Sequence, residues 1–477
     1  MSTYADAVSY IEQIQKYMPR PGIENSSRLL ELLGHPEETL SIIHVAGTNG
    51  KGSVCCFLAD MLISQGFQTG LFISPHLVDI RERIQLNREL ISREAFAAAF
   101  DEVQTAVAEL TATDYPGVTY FDYLFAMAMC YYRKAGADYV VMETGLGGRF
   151  DSTNAVPHPI LTIITSISPD HTEILGTTLA EIAYQKAGIL KPGIPLIYCA
   201  DQPEVITVIE QEAAKVGCHC IGISQSDCTL LSLAPGRMTY RFQPETAAAI
   251  ELTVAANALY QMENSAIAYT AALLLMLQRS DTFELSSLSA AGLLDRTASH
   301  SALTTGLQSA LAHSHWEGRL EQVAPNVFID GAHNADGIDM LLASFRLLKE
   351  AKYVCAATTH APCPSNSSDT LAPSATLLFT AVKEKDTDEM IRKICESGLF
   401  DRYLLTTIAG PRAIAPDALA AQFRKYTDAP ITEWADPMTA FQTALAERQP
   451  VELLLVAGSL YLVGDIKAYL QKKMEEE

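Results

Sequence analysis

A glycine-rich loop after a short apolar run constrains the fold of this chain more than any other feature. Residues 41–45 are mostly apolar, and after Ala46 the chain reads Gly47-Thr48-Asn49-Gly50-Lys51-Gly52-Ser53. A buried strand, a glycine turn and a helix N-terminus form a cradle for anions, because glycine lets backbone N–H groups approach phosphate oxygens. Lys51 would reach the terminal phosphates, and Ser53 could bind Mg²⁺. The loop therefore predicts a nucleotide-binding α/β domain.

The spacing of this loop differs from the standard phosphate-binding motif. Two residues separate Gly47 from Gly50, whereas the standard motif has four, and Gly52 separates Lys51 from Ser53. An ordinary tight turn between a strand and a helix is the alternative interpretation. The added lysine and serine favour the phosphate site.

Length and charge exclude several classes of protein. At 477 residues the chain is too long for one ordinary core, which predicts two domains. A net charge of −22 argues against a general nucleic-acid or anionic-membrane binder, whose surface would be basic. The first residues lack the apolar core of a secretory signal, and no run of 18 apolar residues occurs. We therefore expect a cytoplasmic protein that binds neither membranes nor nucleic acid. We also expect a monomer.

The cysteines give one weak metal signal. Ten are present, with no Cys-x-x-Cys pair, and only Cys218-His219-Cys220 with Cys228 nearby forms a cluster. Adjacent ligands at this spacing do not form a usual zinc site, so reduced cytosolic thiols are the favoured interpretation.

Apolar runs alternate with amphipathic runs, which predicts buried parallel sheets covered by helices. The predicted helices cover 92–110 and 120–135, and part of 201–261 is expected to add β structure. The predicted strands are 41–45, 69–73, 138–143, 160–166, 194–199, 327–330, 375–382, 402–406 and 451–457. We expect the α/β class, with a P-loop parallel-sheet ATPase domain at 1–298, a linker at 299–318 and a smaller Rossmann-like α/β domain at 319–477. Residues 360–374 are predicted to form a surface loop.

Polar residues follow several of the predicted strands, where α/β sheets place their sites. Glu143 ends a buried strand beside a second glycine turn and is a candidate Mg²⁺ ligand, or else it caps that turn or pairs with Arg149. His171 follows the next strand, and a structural histidine is its alternative interpretation. Lys186 lies in an apolar segment, where a surface lysine that extends its amine to water is the alternative.

A second polar cluster, Asp330-Gly331-Ala332-His333-Asn334, follows the first strand of the second half. Arg319 lies just before that strand and could contact a phosphate from the second domain, which requires the two domains to close. The alternative is that Arg319 only ties the linker to a domain surface.

These motifs together resemble the folylpolyglutamate synthase family, with its bifunctional dihydrofolate synthase relatives, within the Mur ligase superfamily. The resemblance runs from about residue 23 to residue 464. Seven blocks carry it in order, at 44–53, 74–77, 143–154, 170–189, 316–319, 330–334 and 458–464. Some positions depart from the family: Asp122 replaces a common Glu, and Tyr260 replaces a common His.

The resemblance implies a role for each matching residue. ATP contacts are implied for Gly47, Thr48, Asn49, Gly50, Lys51, Gly52, Ser53, Asn264, Arg319, Asp330 and His333. Two Mg²⁺ ions are implied, with Ser53, Ser74, Glu143 and His171 as ligands, and Lys186 matches a lysine that is carbamylated. Catalytic roles are implied for Lys51, Lys186 and His171, and substrate contacts for Phe121, Asp122, Arg149 and Ser152.

The reaction that the resemblance implies is ATP-dependent addition of L-glutamate to the carboxylate of tetrahydrofolate through an acyl phosphate. Conversion of dihydropteroate to dihydrofolate is a further activity that the sequence leaves open. A Mur-type ligase of cell-wall precursors is the alternative within the superfamily, and a nucleotide-hydrolysing switch is the alternative from another class. Glycine after Lys51, where Mur enzymes usually have threonine, favours the folate branch.

Overall fold

The computed structural model describes residues 2–14, 23–111, 117–245, 247–279, 289–296, 301–351 and 373–476. The strands are β1 (Ser41–Ala46), β2 (Thr69–Phe72), β3 (Ile84–Leu86), β4 (Glu89–Leu90), β5 (Tyr139–Glu143), β6 (Leu161–Ile164), β7 (Leu196–Cys199), β8 (Cys220–Ile223), β9 (Cys228–Ala234), β10 (Arg237–Phe242), β11 (Ile250–Val254), β12 (Glu321–Ala324), β13 (Val327–Ile329), β14 (Ala375–Phe379), β15 (Arg402–Leu405), β16 (Ile431–Glu433) and β17 (Leu453–Ala457).

The α-helices lie mainly between these strands. They are α1 (Tyr4–Gln13), α2 (Ile23–Leu32), α3 (Lys51–Ser64), α4 (Arg93–Thr111), α5 (Tyr120–Ala135), α6 (Thr172–Leu175), α7 (Leu179–Lys186), α8 (Pro203–Val216), α9 (Tyr260–Leu277), α10 (Ala290–Asp295), α11 (Ser301–His313), α12 (Ala335–Glu350), α13 (Thr387–Glu396), α14 (Pro416–Phe423), α15 (Pro437–Glu447) and α16 (Leu460–Glu476).

The first domain is built on an eight-stranded sheet in the order β4-β3-β2-β5-β1-β6-β7-β8. The strands from β2 to β8 in this order are parallel, and β3 and β4 form an antiparallel edge. The central strand β1 has five buried residues out of six, because helices cover both faces of the sheet. Its carboxyl end, and that of β5 beside it, therefore open into the same loop region.

Three hydrophobic cores cover the two faces of this sheet, and in one of them α7 and α8 pack on β6 and β7. On one face α3 and α9 pack together with the small antiparallel sheet β9–β11, and on the other α4 and α5 pack with α1 and α2. The strands β9–β11 confirm the added β structure that the sequence predicts between residues 201 and 261, although α8 occupies the first part of that range.

The second domain is a six-stranded sheet in the order β12-β13-β17-β14-β15-β16, parallel except for β12. This confirms the predicted second α/β domain. The segment predicted as a linker includes the helix α11, whose Leu307 and Leu311 are buried in the core of the first domain. The exact domain boundaries stay a prediction, and most of the loop predicted at 360–374 lies outside the described residues. Among the helices that the structure describes, none is long and apolar enough to cross a membrane.

Candidate active site

A cavity of about 980 Å³ lies between the two domains, where the central strands of both sheets end. The first domain contributes the glycine loop, Ser74, Glu143, His171, Lys186 and Asn264 to its walls, and the second contributes Arg319, Asp330, His333 and Lys385. Thus residues predicted from both halves of the sequence border one space.

The glycine loop connects β1 to α3 and turns tightly at two glycines. Gly47 has φ 150° and Gly50 has φ 86°, a region that residues with a side chain rarely adopt. A Cβ atom on Gly47 would overlap the hydroxyl of Thr165, and one on Gly50 would overlap the amide oxygen of Asn264. Backbone atoms of the loop are thus packed tightly against their neighbours, as an anion cradle at a helix N-terminus requires.

Lys51 is the first residue of α3 and folds back over the loop. Its Nζ donates to the carbonyl of Thr48 at 3.0 Å and lies 3.9 Å from Oε1 of Glu143. Ser53 is 1% exposed, and its hydroxyl accepts a hydrogen bond of 3.1 Å from Nε2 of Gln261. The loop therefore combines a cation with a buried hydroxyl, the two groups that the sequence predicts for phosphate and Mg²⁺ contacts.

Glu143 ends β5 and is 4% exposed. Its Oε2 accepts a hydrogen bond of 2.8 Å from the backbone N–H of Ser74. Burial raises the pKa of Glu143, while the charge of Lys51 acts in the opposite direction. Arg149 pairs instead with Glu212 at 2.9 Å, so the structure gives Glu143 no ion pair with Arg149. The carboxylate lies beside the phosphate loop.

Asp170 and His171 follow β6, and Asp170 joins the two domains. The Asp170 carboxylate forms an ion pair with Lys385 and lies 3.8 Å from Nε2 of His333, both in the second domain. Burial lowers the pKa of His171 to about 4, and burial likewise lowers the pKa of His333 to about 4. Both imidazoles are therefore neutral at pH 7, and a neutral imidazole nitrogen can bind a metal ion through its lone pair.

Lys186 ends α7 and is only 3% exposed. Its Nζ donates to the carbonyl of Gly47 at 2.6 Å, so the amine touches the glycine loop itself. Burial lowers the pKa of Lys186 to about 7, with a further contribution from Lys51. The surface lysine considered as an alternative is therefore wrong.

Asp330 and Arg319 lie side by side at the start of the second domain. Asp330 is 1% exposed and accepts hydrogen bonds from the Tyr260 hydroxyl at 2.6 Å, Leu320 N at 2.7 Å and Ala332 N at 2.7 Å. Burial raises the pKa of Asp330, and the charge of Arg319 offsets only part of this shift. Tyr260 belongs to α9 of the first domain, so this hydrogen bond joins the two domains.

The four residues predicted to contact substrate lie in two settings. Phe121 and Ser152 line the cavity. Asp122 is buried and accepts hydrogen bonds from Thr119, which caps α5, from Ser26 and from Ser152 at 2.6 Å. Arg149 stacks on the Tyr184 ring at 4.0 Å. Neither Asp122 nor Arg149 is among the residues that line the cavity, and a contact with substrate stays a prediction for all four.

Sequence reasoning missed three cations that also line the cavity, Arg83, Lys385 and Arg412. The side chain of Lys385 is 7% exposed, and the residue lies between β14 and α13. The rule that strand ends carry sites would have found Lys385, since Lys383-Glu384-Lys385-Asp386 follows β14 closely. Its pairing with Asp170, 215 positions away, leaves no local signal.

The chain resembles known proteins over nearly its whole length. Residues 45–272 match the Mur ligase middle domain. The dihydrofolate synthase/folylpolyglutamate synthase of Bacillus subtilis is 32% identical over 476 residues, which cover 98% of this chain and 100% of that protein. The chain belongs to the folylpolyglutamate synthase/dihydrofolate synthase family. The folylpolyglutamate synthase of Lacticaseibacillus casei is 30% identical over 72% of this chain and 77% of its own length.

Solved structures of this family share the fold over nearly the whole chain. The folylpolyglutamate synthase of Thermotoga maritima has a TM-score of 0.75 and 27% identity, covering 98% of this chain and 97% of that one. An FPGS–AMPPCP complex has a TM-score of 0.75 and 26% identity, covering 98% of this chain and 100% of that one. Membership of the folylpolyglutamate synthase/dihydrofolate synthase family makes the chain an ATP-dependent ligase of folate metabolism. Membership of this family excludes both alternatives, a Mur-type ligase of cell-wall precursors and a nucleotide-hydrolysing switch.

Proposed function

We propose that this chain adds L-glutamate both to dihydropteroate and to folates, with ATP as the energy source. The observation that carries the proposal is the shared cavity, where the phosphate loop of one domain faces Arg319, His333 and Lys385 of the other. A volume of about 980 Å³ lies at the upper end of the range for ligand sites, as expected where several reactants meet. The two-activity name of the full-length Bacillus subtilis relative supports the dihydropteroate reaction.

ATP would lie with its phosphates on the glycine loop and Lys51. The complex of a relative with AMPPCP, described above, supports the binding of a nucleotide. Asn264 touches the loop from α9, and Arg319 faces the same cavity from the second domain. These contacts would bring the terminal phosphoryl group between the domains.

The residues beside the loop fit magnesium. Glu143 provides a buried carboxylate, Ser53 and Ser74 provide hydroxyls, and His171 is neutral at pH 7 because its pKa is about 4. Oxygen ligands are those that Mg²⁺ prefers. The hydroxyl of Thr144, next to Glu143, is buried without a hydrogen-bond partner among the described residues, which leaves a polar atom for ordered water. Bound Mg²⁺ would neutralise phosphate charge during transfer.

Lys186 fits the carbamate that the family resemblance implies. A neutral amine attacks CO₂ at carbon and releases one proton, which leaves a carbamate with one negative charge. A pKa of about 7 makes the neutral amine abundant at neutral pH, and Lys186 lines the same cavity as Glu143. The modified side chain would then supply a carboxylate-like ligand close to the phosphate loop.

The reaction follows from the charges around the cavity. A carboxylate oxygen of the pterin-linked acid attacks the γ-phosphorus of ATP, ADP leaves, and an acyl phosphate forms. The neutral amine of L-glutamate then attacks the acyl carbon, phosphate leaves, and the nitrogen loses one proton to solvent. Lys51 and Arg319 stabilise the phosphoryl group, and we assign the carboxylates of glutamate to Lys385 and Arg412 because both are cavity cations of the second domain. The domain pairing through Asp170 and Lys385 limits access of water, which would hydrolyse the acyl phosphate.

A direct assay tests the proposal. Purified protein is mixed with ATP, Mg²⁺, L-glutamate and either dihydropteroate or tetrahydrofolate, and ADP and the glutamylated product are measured together. We expect one ADP for each amide bond with either acid, and loss of both rates in the Lys51→Ala variant. Turnover of tetrahydrofolate alone would refute the dihydropteroate reaction, and ADP release that is independent of both acids would refute the whole assignment.

A further inference from the structure

A thiol and two carboxylates meet on the cavity wall, and the proposed ligase reaction gives them no step. Cys199 ends β7, Asp201 follows it, and Glu263 lies on α9. The Sγ of Cys199 lies 3.4 Å from Oδ2 of Asp201 and 3.0 Å from Oε1 of Glu263. The three atoms all lie within 4.8 Å of one another. This is a different cluster from Cys218-His219-Cys220, which the sequence singled out.

The spacing of these atoms fits a tetrahedral metal ion. With a metal–sulfur bond of about 2.3 Å and a metal–oxygen bond of about 2.1 Å, neighbouring sulfur and oxygen ligands lie about 3.6 Å apart. The two observed sulfur–oxygen separations, 3.4 and 3.0 Å, are shorter than this by only about 0.2 and 0.6 Å. Small side-chain rotations would thus open the cluster around an ion.

Hydrogen bonds hold Asp201 in the orientation that such a site needs. Its Oδ1 accepts from the backbone N–H of Gln225 and from the hydroxyl of Ser224, both at 2.8 Å. Its Oδ2 is thereby left facing Cys199. Outer hydrogen bonds of this kind are typical of metal-binding carboxylates.

The cluster lacks a positive charge. In the described part of the chain, neither Asp201 nor Glu263 forms an ion pair with lysine or arginine, although Glu263 is only 9% exposed. Burial and the charge of Asp201 raise the pKa of Glu263 to about 8. Burial raises the pKa of the Cys228 thiol, and the charge of nearby Glu263 raises it further. Glu263 is therefore mostly protonated at pH 7, because a buried carboxylate without a counter-charge is costly, whereas Asp201 beside it is exposed. A bound cation would remove that cost and let Glu263 ionise.

We propose that Cys199, Asp201 and Glu263 form a binding site for a zinc-class divalent ion. A thiolate ligand selects such ions over Mg²⁺, which prefers oxygen alone. Binding forms one metal–sulfur and two metal–oxygen bonds and releases the thiol proton, together with any proton on Glu263, to solvent. All three residues line the main cavity, so a fourth ligand position faces that space and takes water. The proposal stands apart from the ligase assignment.

Titration with Co²⁺ tests the site in the purified full-length chain, in the presence of excess Mg²⁺. Cobalt reports a thiolate ligand through charge-transfer absorption in the near ultraviolet. We expect one equivalent of Co²⁺ to produce this band, and Zn²⁺ to abolish it by competition. In Cys199→Ser the band disappears, and in Glu263→Gln the affinity for Co²⁺ falls by about tenfold or more.

Cys220→Ser is the matched control. Cys220 is a partly exposed thiol on β8, which pairs with the opposite end of β7 from Cys199. We expect this variant to keep the band and the affinity of the wild type. Melting curves without added metal establish that each variant folds, and Glu263→Gln decides the question if Cys199→Ser does not fold. A wild-type chain without the band, a band that survives in Cys199→Ser, or one that is lost only in Cys220→Ser would overturn the proposal.

Discussion

Lys186 offers the sharpest prediction, because its amine is buried against the phosphate loop. Its pKa of about 7 compares with an ordinary value of 10.5. At pH 7 about half of the amine is then neutral, against about 1 part in 3,000 for an ordinary lysine. Burial thus raises the fraction that can react with CO₂ by about a thousandfold. The carbamate content should rise with pH between 6 and 8, since deprotonation supplies the reactive form.

The assay combines spectroscopy with kinetics. Protein equilibrated with ¹³C-bicarbonate should show one carbamate carbon resonance, which Lys186→Ala removes. The same substitution should lower kcat by about 100-fold, since the carboxylate-like ligand is lost, and acetate should restore part of the rate. Lys191→Ala is the control: burial also lowers the pKa of Lys191, but its Nζ bonds to Asn154 O at 3.2 Å and it does not line the cavity. Full activity in Lys186→Ala, or a resonance that survives it, would refute the reasoning.

Three further predictions test other parts of the site. Gly50→Ala should weaken ATP binding by about tenfold or more in calorimetry, because a side chain at this position meets Asn264 of α9. Gly66 has a similar φ but open space around it, so the control Gly66→Ala should only lower the free energy of unfolding, by about 1 kcal/mol. Equal ATP affinities of the two variants would contradict this. Tyr260→Phe should lower the free energy of unfolding in urea by about 1–3 kcal/mol, because Asp330 loses a buried donor, and an unchanged value would refute that role. His171 should stay neutral from pH 6 to 8 in an NMR titration, as its pKa is about 4, and a midpoint near 6.5 would contradict the burial argument.

The sequence predicts the architecture well because the signals for it are local. Unbroken apolar runs identify the buried parallel strands, and β1, β5 and β17 lie within a residue or two of the predicted ranges. The glycine loop is likewise a local signal, since turn, cation and hydroxyl fall within residues 47–53. The cytoplasmic location, the monomeric state and the roles of individual site residues stay predictions.

Side-chain partners are harder to predict, because they depend on how distant segments pack. Nothing near Asp122 in the sequence indicates that its carboxylate accepts hydrogen bonds from Ser26 and Ser152. Cys199 and Glu263, 64 positions apart, meet only because α9 packs near the end of β7. The apolar segment around Lys186 is a local signal of burial, but its contact with the carbonyl of Gly47, 139 positions away, is not.

Oxygen transfer tests the central claim of this account most directly. The folate substrate is prepared with ¹⁸O in its reacting carboxylate, and the phosphate released with ATP, Mg²⁺ and L-glutamate is analysed by mass spectrometry. If the terminal phosphoryl group activates the acid, each phosphate released with an amide bond carries one ¹⁸O atom from that carboxylate. Amide formation that releases phosphate without ¹⁸O would contradict an acyl phosphate and the cavity chemistry described here.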